Sequence, residues 1–116
     1  MAKLDMKGSC NLNGNEINSL FKKDGIISNY ACGDIDPSCG LFVVKYVGKS
    51  DGDMRNRIKH CIGRYTKFKY STTSSVKEAF EKECKNYHGF NPSGNNIHPD
   101  RPEGNDYKCP YCNKFN

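Results

Sequence analysis

The run "LFVVKYVG" at residues 41–48 constrains this chain more than any other stretch: β-branched and aromatic residues fill it, and Gly48 closes it. Such a run reads as a strand. A few residues on, Asp53 stands as N-cap of a helix over 54–62, with Met54, Ile58, Cys61 and Ile62 as its apolar stripe. A strand feeding directly into an amphipathic helix commits the chain to a sheet covered by helices.

The flanking segments extend the pattern. "GIISNYACG" (25–33) is β-prone and bounded by Gly at each end, so it reads as a preceding strand. "RYTKFKYST" (64–72) alternates, with Thr66, Phe68 and Tyr70 on one face, as a half-exposed strand does. Ile17, Leu20 and Phe21 share a helical face in an earlier segment that ends at Gly25. "SVKE" (75–78) is a capping box opening a helix to about residue 88, with Gly89 in the stop position. After the first helix the order is strand, strand, helix, strand, helix. The expectation is an α+β fold, a small antiparallel three-stranded sheet flanked by helices. It forms one domain over 1–116, with a core over 25–90 and a Pro-, Gly- and Asn-rich tail over 91–116.

Composition bounds the function. With 116 residues and 35% apolar content, one modest core is expected, which an additional tie would strengthen. A net charge of +5 favours a polyanionic partner. No run approaches the roughly 18 apolar residues of a membrane span, so no membrane partner is expected. The seven Cys follow a start that lacks an apolar export segment, which predicts a cytoplasmic protein with reduced thiols acting as core fillers, metal ligands or nucleophiles.

On the last helix, Val76, Ala79, Phe80 and Tyr87 make one stripe at about 100° per residue, and Glu83 falls inside it. A carboxylate there needs a cation, a metal or several donors. It either pairs with an Arg at the core margin or serves a site. On the earlier helix Arg57 flanks the stripe, His60 lies beside it, and Arg55 is on the opposite flank. With Tyr46 at a strand end, these place a cation, a hydroxyl and an acid on one side of a small sheet.

"YVGKSDGDMRNRI" resembles the second half of the GIY-YIG nuclease signature and the Arg-bearing helix after it. "SNYACG" would be the first half, and "EAFEKE" is similar to the helix carrying that family's metal-binding Glu. The likeness spans about 25–90. In a group of small prokaryotic GIY-YIG-like proteins it continues through "IHPDRPEG" and "YKCPYC". The resemblance implies a metal-dependent endonuclease hydrolysing DNA phosphodiesters. Glu83 would hold one Mg²⁺, Arg57 would clamp a nonbridging oxygen, and Tyr30 and Tyr46 would position or deprotonate the water, with neighbouring cations lowering the Tyr46 phenol. Lys49, Arg55 and Lys59 would grip backbone phosphates. Asn91, Asn95 and Asn96 occupy the region of the family's site Asn; Asn96 is the choice here, with turn duty the other reading. Two positions depart from the pattern. Ser28-Asn29 stands in place of Gly-Ile, and Cys61 in place of a His, so that either His60 shifts into that role or the role is missing.

"CPYC" puts Cys109 and Cys112 in a CxxC knuckle. Cys84 and His88, four apart on a helix, complete a Cys₃His set suited to one structural Zn²⁺, with His98 the rival for the fourth position. Such an ion would staple the tail to the helix of Glu83. Two other functions remain: a noncatalytic zinc-stabilised nucleic-acid-binding module, and a thiol redox protein using the CxxC. A chain this small leaves targeting to a partner protein or to DNA shape.

Overall fold

The computed structural model describes residues 4–23, 25–95, 98–99 and 107–114. Its elements are β1 (Lys7–Asn11), α1 (Gly14–Leu20), β2 (Ser28–Ile35), β3 (Phe42–Ser50), α2 (Met54–Lys59), β4 (Lys67–Thr72) and α3 (Val76–Phe90). The sheet has four antiparallel strands in the order β1-β4-β2-β3, not the three expected. The added strand, KGSCN, has no β-branched residue and is half-buried only at Cys10. An edge strand of this kind forms through its ladder with β4 and carries no period of its own.

β2 lies between β3 and β4, and its first six residues are all buried. Tyr30 and Cys32 pack with Phe68 against Ile17 and Phe21 of the α1 segment and Met54 and Ile58 of α2. The alternate residue Asn29 faces α3, where its Nδ2 donates to the Ala79 carbonyl at 2.9 Å. Helices therefore cover both faces of this strand. Asn29, which departs from the nuclease signature, ties α3 to the sheet.

Two helix ends fall away from their expected places, and one cap is made by a different residue. Residue 53 is the N-cap of α2, yet its side chain makes no capping bond. The buried Ser50 hydroxyl accepts the Asp53 and Gly52 amides at 2.7 and 3.3 Å. Asp53 instead accepts from Asn56 Nδ2 at 3.1 Å. α2 ends at Lys59, and the i→i+3 bonds from Cys61 to Ile58 and from Ile62 to Lys59 tighten the chain into a turn that leaves Ile62 exposed. α3 runs through Gly89 to Phe90. It stops at Asn91, left-handed at φ 45°, because Pro92 disfavours an α-helical residue before it. The Ser75 cap is as expected, accepting from the Glu78 amide at 3.1 Å. Among the described residues no helix is long and apolar enough to cross a membrane.

Candidate functional site

Two sites take shape from these elements. The first begins where β2 and β3 pair. Tyr30 lies opposite Gly48, and Cys32 opposite Tyr46. The two rings stack with centroids 6.2 Å apart, inclined at 27°. Gly48 makes the arrangement possible: a Cβ there would lie 2.5 Å from Cζ and 2.6 Å from the hydroxyl of Tyr30.

Above the tyrosines α2 and its following turn form the far wall of a cleft of about 340 Å³, lined by Tyr30, Tyr46, Asp53, Asn56, Arg57, His60 and Arg64. The structure thus brings together four of the expected site residues, Tyr30, Tyr46, Arg57 and His60. His60 reaches the cleft because α2 ends early, while Cys61 turns inward and is buried in the core cluster with Cys32. The side chains of Arg57, His60 and Arg64 make no hydrogen bond or ion pair among the described residues, so their donors are available to a ligand.

Glu83 is half-buried on α3 and does not line the cleft, yet its negative charge acts on both tyrosines and raises their pKa values. The expected lowering of the Tyr46 phenol is overturned. Burial first, then Cys61 and Glu83, pushes it up, and the hydrogen bond with Tyr30 only partly opposes this. Tyr30 is pushed up further by burial and by Tyr46. Desolvation leads the shift of both rings, so both are neutral hydroxyls and neither is a ready base.

The remaining expected contacts divide. Lys49 pairs with both carboxylate oxygens of Asp51 at 3.2 Å, an exchangeable surface bridge that occupies the ammonium. Lys59 lines an adjoining recess with Asp53, Asn56 and His60. Arg55 is half-buried and outside the cleft lining. Asn96 lies outside the described residues. Its neighbour Asn95 is spent on backbone: Oδ1 accepts the Val47 amide at 2.8 Å and Nδ2 donates to the Val47 carbonyl at 3.0 Å. Sequence reasoning missed Arg64, which it placed at the start of a strand. β4 begins three residues later, and the amides of Arg64 and Tyr65 both turn back to the Cys61 carbonyl.

The second site lies where the end of α3 meets the tail. His88, His98, Cys109 and Cys112 present ligand atoms all within 4.8 Å of one another, a cluster able to hold a metal ion such as zinc. His98 Nε2 is 3.2 Å from both His88 Nε2 and Cys112 Sγ. Its Nδ1 lies 2.8 Å from the Pro99 carbonyl, an acceptor that requires the proton on Nδ1 and leaves the Nε2 lone pair directed at the cluster. A tetrahedral zinc with two imidazoles and two thiolates has ligand–ligand edges of about 3.3–3.8 Å. The observed separations bracket that range, so the residues fit such an ion. The expected set is corrected at one corner. Cys84 is fully buried against Phe80 and Cys109, and His98 stands in its place. Burial and His98 together push the ionisation of His88 down, toward the neutral ligand form.

Compared with protein-family models, with curated proteins and with solved structures, the chain matches none.

Proposed function

We propose that this chain is a metal-dependent endonuclease of the GIY-YIG type that hydrolyses phosphodiester bonds in DNA, with a separate structural zinc in its tail. The observation that carries the reading is the convergence of two tyrosine hydroxyls, two uncommitted guanidinium groups and a His in one cleft, with the field of Glu83 reaching both hydroxyls. A planar guanidinium donates two parallel bonds to a phosphate, so Arg57 and Arg64 would neutralise charge building on phosphorus.

Glu83 suits a hydrated Mg²⁺, because that ion binds through one or two carboxylates and keeps several waters. Bound there, Mg²⁺ supplies charge neutralisation and lowers the pKa of a nearby water. The neutral hydroxyls of Tyr30 and Tyr46 orient that water by hydrogen bonding and do not remove its proton. As the water oxygen bonds to phosphorus and gives up its proton to bulk solvent, the bridging P–O bond breaks, and the departing oxygen would take up a proton from solvent or through His60, which lines the cleft.

The second reading, a noncatalytic zinc-stabilised nucleic-acid-binding module, is favoured by the raised tyrosines and by the inward Cys61 where a His is expected. Nicking of supercoiled plasmid in Mg²⁺ separates the two. Loss of nicking in Glu83→Ala and Arg57→Ala with DNA binding retained supports the enzyme. Binding without nicking under any divalent ion supports the module. The redox reading requires a CxxC not engaged with metal, and it fails if the purified chain holds zinc at the Cys109–Cys112 cluster.

A further inference from the structure

The two sites are joined by one short loop. α3 delivers His88, the chain reverses at Asn91 and Pro92, and His98 returns to the same cluster. Between these two ligands Gly94 and Asn95 lie along the outer edge of β3. The Gly94 amide donates to the Lys45 carbonyl at 2.6 Å, and the Asn95 side chain takes both backbone groups of Val47, at 2.8 and 3.0 Å. These three bonds bracket Tyr46. The fit is close: a Cβ at Gly94 would lie 2.2 Å from the Tyr65 hydroxyl and 2.6 Å from the Lys45 carbonyl oxygen. The outward backbone groups of an edge strand otherwise face solvent or a foreign strand.

We infer that metal occupancy at the His/Cys cluster sets the outer edge of β3 and thereby positions Tyr46 in the cleft, so that zinc regulates the site as well as tying down the tail. One ion bound to His88 and His98 closes the intervening chain into a ring and removes most of the entropy that would lift Gly94 and Asn95 off the strand. Without the ion, the two ends are held only by hydrogen bonds and by the packing of the His98 ring on Tyr87 and His88, and the edge around Tyr46 opens with the loop. Asn95 is a positioning residue in this scheme. It touches backbone on either side of Tyr46 and no reacting atom. The consequence for catalysis rests on the nuclease reading above, whereas the structural coupling does not.

The test is amide hydrogen exchange at Val47 in the full chain, loaded with zinc or stripped by a chelator, with zinc content verified by elemental analysis. Stripping is expected to speed Val47 exchange by about tenfold or more, the signature of a local opening, while Ala31 in the centre of the sheet stays protected. Asn95→Ala is expected to keep one zinc per chain and yet lose the same Val47 protection. Where cleavage is measurable, its kcat falls and its KM holds. Unchanged Val47 protection after zinc loss, full protection in Asn95→Ala, or a chain that never takes up zinc would each overturn the inference. Should stripping unfold the whole chain, His98→Ala, which opens the ring and leaves Asn95 in place, decides: Val47 protection kept in that variant overturns the inference. Exchange at Val47 is read without DNA, so failure of this coupling and failure of the nuclease reading are separate results.

Discussion

Replacing Gly48 by Ala should expel the Tyr30 ring from its place beside Tyr46. The new Cβ would lie 2.5 Å from Cζ and 2.6 Å from the hydroxyl, against an ordinary contact of at least 3.4 Å. The ring must therefore retreat by about 1 Å, and Tyr30, only 4% exposed, has Tyr46 stacked beside it and the core beneath. Overpacking of this kind costs about 1–3 kcal/mol. At about 4 °C for each kcal/mol in a domain of this size, the melting temperature should fall by roughly 4–12 °C. A 1 Å displacement in a reacting group costs on the order of a hundredfold in rate, so cleavage should fall far more than stability. Gly48 does not have the positive φ that would add backbone strain, so the effect isolates the contact with the ring. Gly14→Ala, which meets nothing within 4 Å, is the control and should be neutral or slightly stabilising. Denaturation of the single variants and of Gly48→Ala combined with Tyr30→Ala completes a cycle in which most of the penalty disappears. Wild-type stability in Gly48→Ala, or an unchanged penalty when the ring is gone, would refute the argument.

Four further outcomes follow from the same geometry. Cys112→Ala and His98→Ala should each lose the bound metal measured by elemental analysis, whereas Cys84→Ala should retain it and lose only core packing. Arg57→Ala and Arg64→Ala should each lower the slope of log K for DNA against log salt by about 0.9; Lys77→Ala, exposed at the start of α3 and outside the cleft, should not. Asn29→Ala breaks a buried bond to the Ala79 carbonyl and should cost about 1–3 kcal/mol by urea denaturation. Asp34 is held below its ordinary value of 3.8 by Lys45 and the Thr66 hydroxyl, so its contribution is present above that pH and is lost as pH falls through the lower folded value. Asp34→Asn should flatten that acid limb of the stability curve and leave stability near neutral pH otherwise parallel to wild type.

Much of this fold was legible because α2 and α3 each carry a helical period matched by their burial and β3 is an unbroken β-branched and aromatic run. Glu83 stood out as an acid within an apolar stripe, and the structure keeps it half-buried and in electrostatic contact with both tyrosines. Features set by tertiary pairing were not legible. β1 depends on β4 for its conformation, and Arg64 enters the cleft through a turn whose hydrogen bonds give no sequence period. The ligand set failed at Cys84 for a related reason. Helical spacing puts Cys84 and His88 on one face, but whether a residue reaches the ion or packs behind another ligand depends on the path of the tail. The Tyr46 pKa was misjudged because neighbouring basic residues are visible in a sequence, and the burial that leads the upward shift is not.

The central claim is that the carboxylate of α3 and the cleft between β2, β3 and α2 act on one phosphate. Single-turnover cleavage of a labelled duplex, titrated with Mg²⁺, tests it most directly in wild type and Glu83→Gln, a variant that keeps size and polarity and removes the charge. The account predicts Mg²⁺-dependent cleavage by the wild type and a loss on the order of a thousandfold in Glu83→Gln, with DNA affinity held within about threefold. Equal cleavage by both proteins, or binding by the wild type with no cleavage at any Mg²⁺ concentration, would contradict it.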